Sequence, residues 1–171
     1  MADRHTSLVI IAPHGGRIEI GTSEIAKEIA GFNYSFYCFQ GLKLGRPHTD
    51  LHITSTNFDE PRGLELVKSA EIVIAIHGRS DDADLISIWI GGLHTKLKEE
   101  TLVRLTAAGF NALANGHRLE GKHPNNICNR GKTRAGLQLE LPRSLRMRLA
   151  ENSELLNLFT QAVRGAIATA E

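Results

Sequence analysis

Residues 7–16 read SLVIIAPHGG, and the fold turns on that stretch. The apolar run from Leu8 to Ala12, rich in β-branched residues, ends at Pro13-His14-Gly15-Gly16. That is the composition of a buried strand running into a tight loop. Residues 72–78, IVIAIHG, repeat the pattern, an apolar run halted by His77 and Gly78. Strands apolar on both faces belong to a parallel sheet covered by helices on each side. Between and beyond them the pattern alternates. A helix capped by Thr22 or Ser23 carries Ile25, Ile29 and Ala30 inward and stops at Gly31; strands follow at 34–39 and 50–54, then a helix from Pro61 through Ala70. Further strands are expected at 85–90 and 110–114, around a helix at 94–108. Residues 116–135 lack periodicity and read as a long loop, the strand GLQLEL occupies 136–141, and helices at about 142–150 and 153–169 close the chain. The expected fold class is therefore α/β, a single-domain three-layer sandwich over residues 1–171 with a mostly parallel or mixed central sheet.

Composition agrees and removes several functions. With 171 residues, 42% hydrophobic and 23% charged, the chain suits one soluble domain. A net charge of +1, a sequence pI near 7.9 and 5% aromatics argue against a general nucleic-acid coater, so a nucleic-acid partner is not expected. No apolar run approaches the roughly 20 residues that cross a bilayer, and the amino terminus lacks the form of a secretory signal. Two cysteines, Cys38 and Cys128, are too few for a disulfide framework. A cytoplasmic monomer without a membrane partner is expected. The near-zero net charge conceals an asymmetry. Residues 116–148 hold eight basic side chains, Arg143 among them, against Glu120 and Glu140, and the rest of the chain is net acidic. Such a segment suits an anionic substrate, a solvated face or phosphate contacts on DNA.

Two strand-end histidines suggest chemistry, because ligands collect at the carboxyl ends of parallel strands. His14 and Glu19 lie five positions apart on a loop made pliable by two glycines, and His77 ends the matching strand. Two imidazoles and one carboxylate, leaving an open coordination position, are the donor set of a catalytic zinc. Hydrolysis then needs a general base. Glu140 is the candidate, because Leu137, Leu139 and Leu141 take one face of GLQLEL and leave Gln138 and Glu140 on the other. His52 could line this site or simply pack. His94, at a helix start, reads as a surface or capping histidine.

With these residues placed, the chain resembles the poly-γ-glutamate hydrolase family of phages and bacteria. The matching segments are IAPHGGRIEIGTSEIA, LHITSTNFDEP, IVIAIHG and NICNRGKTRAGLQLELPRSLR, which together span most of residues 8–148. The resemblance implies a compact relative of the zinc carboxypeptidase fold, with Zn²⁺ held by His14, Glu19 and His77 and with Glu140 as general base. It also makes Asn129-Arg130 similar to the Asn-Arg pair that holds a substrate carboxylate in the wider group. Larger carboxypeptidases use a tighter His-x2-Glu pair, and whether the longer loop here brings Arg17 to the substrate is a question for the tertiary structure. The implied reaction is hydrolysis of γ-glutamyl amides in an anionic polymer or peptide, with Arg17, Arg130 and Arg143 holding free carboxylates. Two alternatives stand beside it: a zinc amidohydrolase of a small acylated amino acid or cell-wall peptide, and a non-catalytic, DNA-binding protein of phage replication.

Overall fold

The apolar runs at 8–12 and 72–76 form strands with both faces buried. The computed structural model describes residues 1–43, 48–82 and 84–170. Among these, the chain order is β1 (Leu8–Gly16), α1 (Thr22–Ala30), β2 (Ser35–Gly41), α2 (Pro61–Ser69), β3 (Ile72–Arg79), β4 (Ile88–Gly91), α3 (Thr95–Ala107), β5 (Ala112–Leu113), β6 (Leu137–Pro142), α4 (Arg143–Glu151) and α5 (Ser153–Ala170). Short 3₁₀ turns lie at His48–Leu51 and Ile127–Asn129. The strands of the described residues form one six-stranded sheet in the order β2-β1-β3-β6-β4-β5. It is mixed: only the β4–β6 pairing is antiparallel.

Side-chain alternation assigns the two faces. Leu8 and Ile10 of β1, Ile74 and Ile76 of β3, Ile88 and Ile90 of β4, and Leu137, Leu139 and Leu141 of β6 point to one side, where α1, α3, α4 and α5 cover them. Val9, Ile11, Val73 and Ala75 point to the other, against Leu66 and Val67 of α2, Phe58 and the Ile127–Asn129 turn. This is the three-layer α/β sandwich expected from the sequence. Fully burying a side chain such as Ile10, Ile74 or Ile76 contributes about 1.5–3 kcal/mol, so the strand runs dominate the core.

Local departures have physical reasons. The strand expected at 50–54 is absent: residues 48–51 form a 3₁₀ turn, and the Ile53 and Ser55 carbonyls accept from the His14 ring and the Ile127 N–H instead of a sheet neighbour. A five-residue alternation is too short to separate these outcomes. Neither Thr22 nor Ser23 caps α1. The N-cap is Gly21, in the left-handed region at φ 93°, while Thr22 Oγ1 donates to the Glu19 carbonyl and Ser23 Oγ accepts from the Gly16 N–H. The strands expected at 85–90 and 110–114 shrink to Ile88–Gly91 and Ala112–Leu113, leaving Leu85 and Ile86 exposed. His94 does cap its helix, its Nδ1 accepting from the Leu97 N–H at 3.2 Å.

Candidate active site

The carboxyl ends of β1, β3 and β6 converge. His77 and Glu140 are direct register partners on adjacent parallel strands and lie on the same face as Val73 and Ala75. Strict alternation would send His14 to the opposite face with Leu8, Ile10 and Ala12. A register irregularity between Ala12 and Gly15 intervenes, and His14 Nδ1 comes within 3.2 Å of His77 Nδ1. Bulges of this kind re-aim side chains beside functional sites. The loop after His14 then folds back. The Glu19 N–H donates to the His14 carbonyl at 2.9 Å, bringing the Glu19 Oε1 to 2.9 Å from His14 Nδ1 and Oε2 to 3.7 Å from His77 Nδ1. The Gly78 N–H donates to Glu19 Oε2 at 2.7 Å.

The outward ring nitrogens are also held. His14 Nε2 donates to the Ile53 carbonyl at 2.6 Å, and His77 Nε2 meets Ser55 Oγ at 3.0 Å. Supporting bonds of this kind orient imidazoles for a metal. They also set the donor chemistry. With its proton on Nε2, His14 presents a lone pair at Nδ1, facing a carboxylate oxygen that is likewise an acceptor; a cation between them resolves that opposition. Donor separations of 2.9–3.7 Å bracket the roughly 3.3 Å implied by tetrahedral zinc with bonds near 2.0–2.1 Å. The nitrogen and oxygen donors therefore fit zinc.

His52 joins the cluster by stacking on His14, with ring centroids 4.0 Å apart and its Nε2 3.4 Å from Glu19 Oε1. His14, Glu19 and His52 each offer a donor atom within 4.8 Å of the others, so His52 is a second candidate for the third position. Its segment was visible in the sequence, but the irregular backbone that turns it inward was not. Burial alone would raise the Glu19 carboxyl, yet the His14, His52 and His77 imidazoles around it hold it well below the usual range. Glu140 goes the other way: burial pushes it up to about 6, opposed by the positive field of His77.

These groups line a cavity of about 490 Å³ together with Arg79, Arg118 and Lys122. Gln138 Nε2 spans its floor, donating to Glu140 Oε1 and to the Leu119 carbonyl, both at 3.0 Å, while its Oε1 accepts from Asn126 at 2.8 Å. Arg146 lies fully under the site. It donates to the Leu141 and Arg79 carbonyls at 3.2 Å each and to the Ile20 carbonyl, tying the His14–Glu19 loop to β3 and β6.

Among the residues expected at the site, His14, Glu19, His77 and Glu140 are brought together and the four expected carboxylate binders are not. Asn129 is buried, its amide donating to the Gly121 and His123 carbonyls and its oxygen accepting from Leu93 and Gly136. Arg130 donates to the Phe58 carbonyl at 2.6 Å. Arg17 and Arg143 are exposed, and neither lines the cavity. Arg118 and Lys122, from the same basic segment, line it instead.

Comparison with known proteins gives a consistent picture. A family model described as poly-gamma-glutamate hydrolase matches residues 1–164. The SPbeta prophage-derived UPF0714 protein YoqZ of Bacillus subtilis (strain 168) is 40% identical over 159 residues, covering 92% of this chain and 54% of that protein. The chain thus spans about half the length of the curated relatives it matches. Among solved structures, a bacteriophage poly-gamma-glutamate hydrolase superposes with a TM-score of 0.90 at 29% identity, covering 98% of this chain and 86% of that one. A zinc-free form of YndL gives 0.88 at 34% identity, covering 98% and 87%. An N-acetylmuramoyl-L-alanine amidase from Clostridium difficile shares the fold at TM-score 0.59 and 12% identity, covering 96% of each chain.

Proposed function

The chain belongs to the poly-γ-glutamate hydrolase family, and from that membership we propose that it hydrolyses the γ-glutamyl amide bonds of poly-γ-glutamate, with zinc held by His14, Glu19 and His77 and with Glu140 as general base. The observation that carries this reading is the convergence of two imidazole Nδ1 atoms and one carboxylate, 2.9–3.7 Å apart, in a cavity that Glu140 also lines. Zinc bound there supplies a Lewis acid that acidifies water and polarises a carbonyl. Glu140 takes a proton from the attacking water as the new carbon–oxygen bond forms. It returns that proton to the amide nitrogen as the carbon–nitrogen bond breaks, releasing a carboxylate and an amine. Burial raises the Glu140 carboxyl toward the working pH, which suits both halves of that duty, because an efficient general acid–base has its pKa near the working pH. Gln138 holds the Glu140 carboxylate in place, and Ile53 and Ser55 hold the imidazoles. Every residue in this scheme comes from one chain, so the reading needs only a monomer.

The test is incubation of zinc-loaded protein with poly-γ-glutamate, following chain length by size-exclusion chromatography. Shortening that stops with a chelator, returns with zinc and falls about 10²–10⁴-fold in Glu140→Gln is expected. No shortening by the zinc-loaded protein would refute the substrate and turn attention to smaller acylated amino acids. Zinc content of His77→Ala against His52→Ala separates the ligand from its neighbour, with loss expected in the first.

A further inference from the structure

The four side chains that sequence placed on the substrate's carboxylates are committed elsewhere or lie off the cavity, so the anion-holding role falls to the other cations that line it. The cavity wall formed by residues 118–123 supplies one. This loop is clamped along its length. His117 Nε2 meets the Ile90 carbonyl at 3.1 Å, and its ring stacks on Trp89 at 5.3 Å. The Leu119 carbonyl accepts from Gln138, the Glu120 carbonyl from the Gly92 N–H at 2.8 Å, and the Gly121 and His123 carbonyls from Asn129. Asn129 is therefore a brace for the loop.

On that braced backbone the Arg118 side chain is free. Among the described residues it makes no hydrogen bond or ion pair, and the neighbouring carboxylate of Glu120 is paired with Lys122 at 3.1 Å. Arg118 also lies close enough to Arg79 for the two guanidinium charges to repel. Arg79 is 7% exposed, packed over the Trp89 ring at 3.9 Å, with its terminal nitrogens donating to the Ser80 and Ser87 carbonyls, its Nη2 3.8 Å from Asp84 Oδ2 and its Nε unpartnered. It cannot swing away. A cavity that faces one fixed cation with another, the second carrying a full unpaired donor fork, is arranged for an anion. A guanidinium fork matches a carboxylate in two parallel hydrogen bonds.

We propose that Arg118, held on the loop braced by Asn129 and Gln138 and facing the buried Arg79, is the carboxylate-binding residue of the cavity and grips a free α-carboxylate of the γ-linked substrate beside the scissile bond. This rests on the hydrolase reading above and adds the residue that selects a polyanion. Arg79, fixed in place and partly offset by Asp84 at 3.8 Å, backs the subsite. Lys122, already paired, contributes less.

The test measures binding by calorimetry on the Glu140→Gln protein, which holds substrate without consuming it. The probes are a γ-linked glutamate oligomer and the same oligomer with its α-carboxylates methyl-esterified. Arg118→Ala is expected to weaken binding of the free oligomer about 10–100-fold, from loss of charge-assisted hydrogen bonds, and to leave the ester unchanged, with Arg118→Lys falling between. Arg17→Ala and Arg143→Ala are expected to leave both affinities unchanged. Equal binding by Arg118→Ala and its parent, an equal loss for both oligomers, or no binding by the parent overturns the subsite. Cleavage by the protein with Glu140 intact is scored separately. If it cleaves and Arg118→Ala binds normally, only the subsite fails; if it does not cleave but binding depends on Arg118, the hydrolase reading fails and the carboxylate subsite stands.

Discussion

Gly15 is the sharpest place to perturb this site without touching a reacting group. A methyl group added there would sit 2.3 Å from Cys38 Sγ, 2.5 Å from Ser23 Oγ and 3.0 Å from the Phe39 carbonyl. The first two distances are about 1 Å inside ordinary contact. The Phe39 carbonyl belongs to β2, which is paired to β1 on both sides of this point, and Ser23 Oγ is engaged by the Gly16 N–H at 2.8 Å. The displacement in Gly15→Ala must therefore pass into the end of β1, where His14 is attached. Overpacking of this kind costs about 1–3 kcal/mol, or roughly 2–12 °C in Tm for a chain of this size. A shift of about 1 Å in the His14 imidazole, the proposed zinc ligand, is enough for a loss on the order of 10²-fold in kcat/KM. Differential scanning fluorimetry and the poly-γ-glutamate chain-length assay measure the two effects. Cys38→Ala clears the closest contact while leaving Ser23 in place, so Gly15→Ala/Cys38→Ala should recover part of both losses. A Gly15→Ala protein with unchanged Tm and activity, or a double variant whose losses simply add, would refute the steric route from Gly15 to His14.

Three further outcomes are expected. Arg146→Met removes a buried cation that joins three segments and leaves the Leu141, Arg79 and Ile20 carbonyls without their donor, so stability by urea denaturation should fall by about 3–5 kcal/mol; a change below 1 kcal/mol would show that water replaces it. Burial pushes the Cys128 thiol up to about 12, so iodoacetamide should leave it unlabelled in the native protein at pH 8 and label it in urea, as read by mass spectrometry. Asp84 is held below the usual carboxylate range: burial opposes its ionisation, but the Ser87 and Ile86 N–H groups and the Trp89 indole outweigh that. A lowered folded-state pKa stabilises above the unfolded value near 3.9, and that contribution disappears as pH falls through the folded value. The stability advantage of the parent over Asp84→Asn should hold from pH 7 to 5 and shrink below about pH 4; an advantage constant down to pH 2 would contradict this.

Much of this molecule could be read from its residues alone, because the governing features are local. The apolar runs at 8–12 and 72–76 are long and β-branched enough to be strands wherever they fall, and the alternation of GLQLEL separates Gln138 and Glu140 from the leucines. Their abrupt stops at His14 and His77 mark the end of the sheet where ligands gather. Those signals determined the fold class and brought His14, Glu19, His77 and Glu140 into one hypothesis. Only the tertiary structure decided the rest. His14 has the wrong parity for its partner until the irregularity between Ala12 and Gly15 turns it. His52 enters because an irregular segment gives its carbonyls to His14 and Ile127 in place of a strand. Within residues 116–148 the basic side chains look equivalent in sequence, yet Arg130 is bound to the Phe58 carbonyl and Arg146 is buried under the site, while Arg118, without a hydrogen bond or ion pair among the described residues, lines the cavity. An aperiodic loop has no face until buried amides such as Asn129 and Gln138 pin its carbonyls, and those contacts join residues that no spacing rule relates.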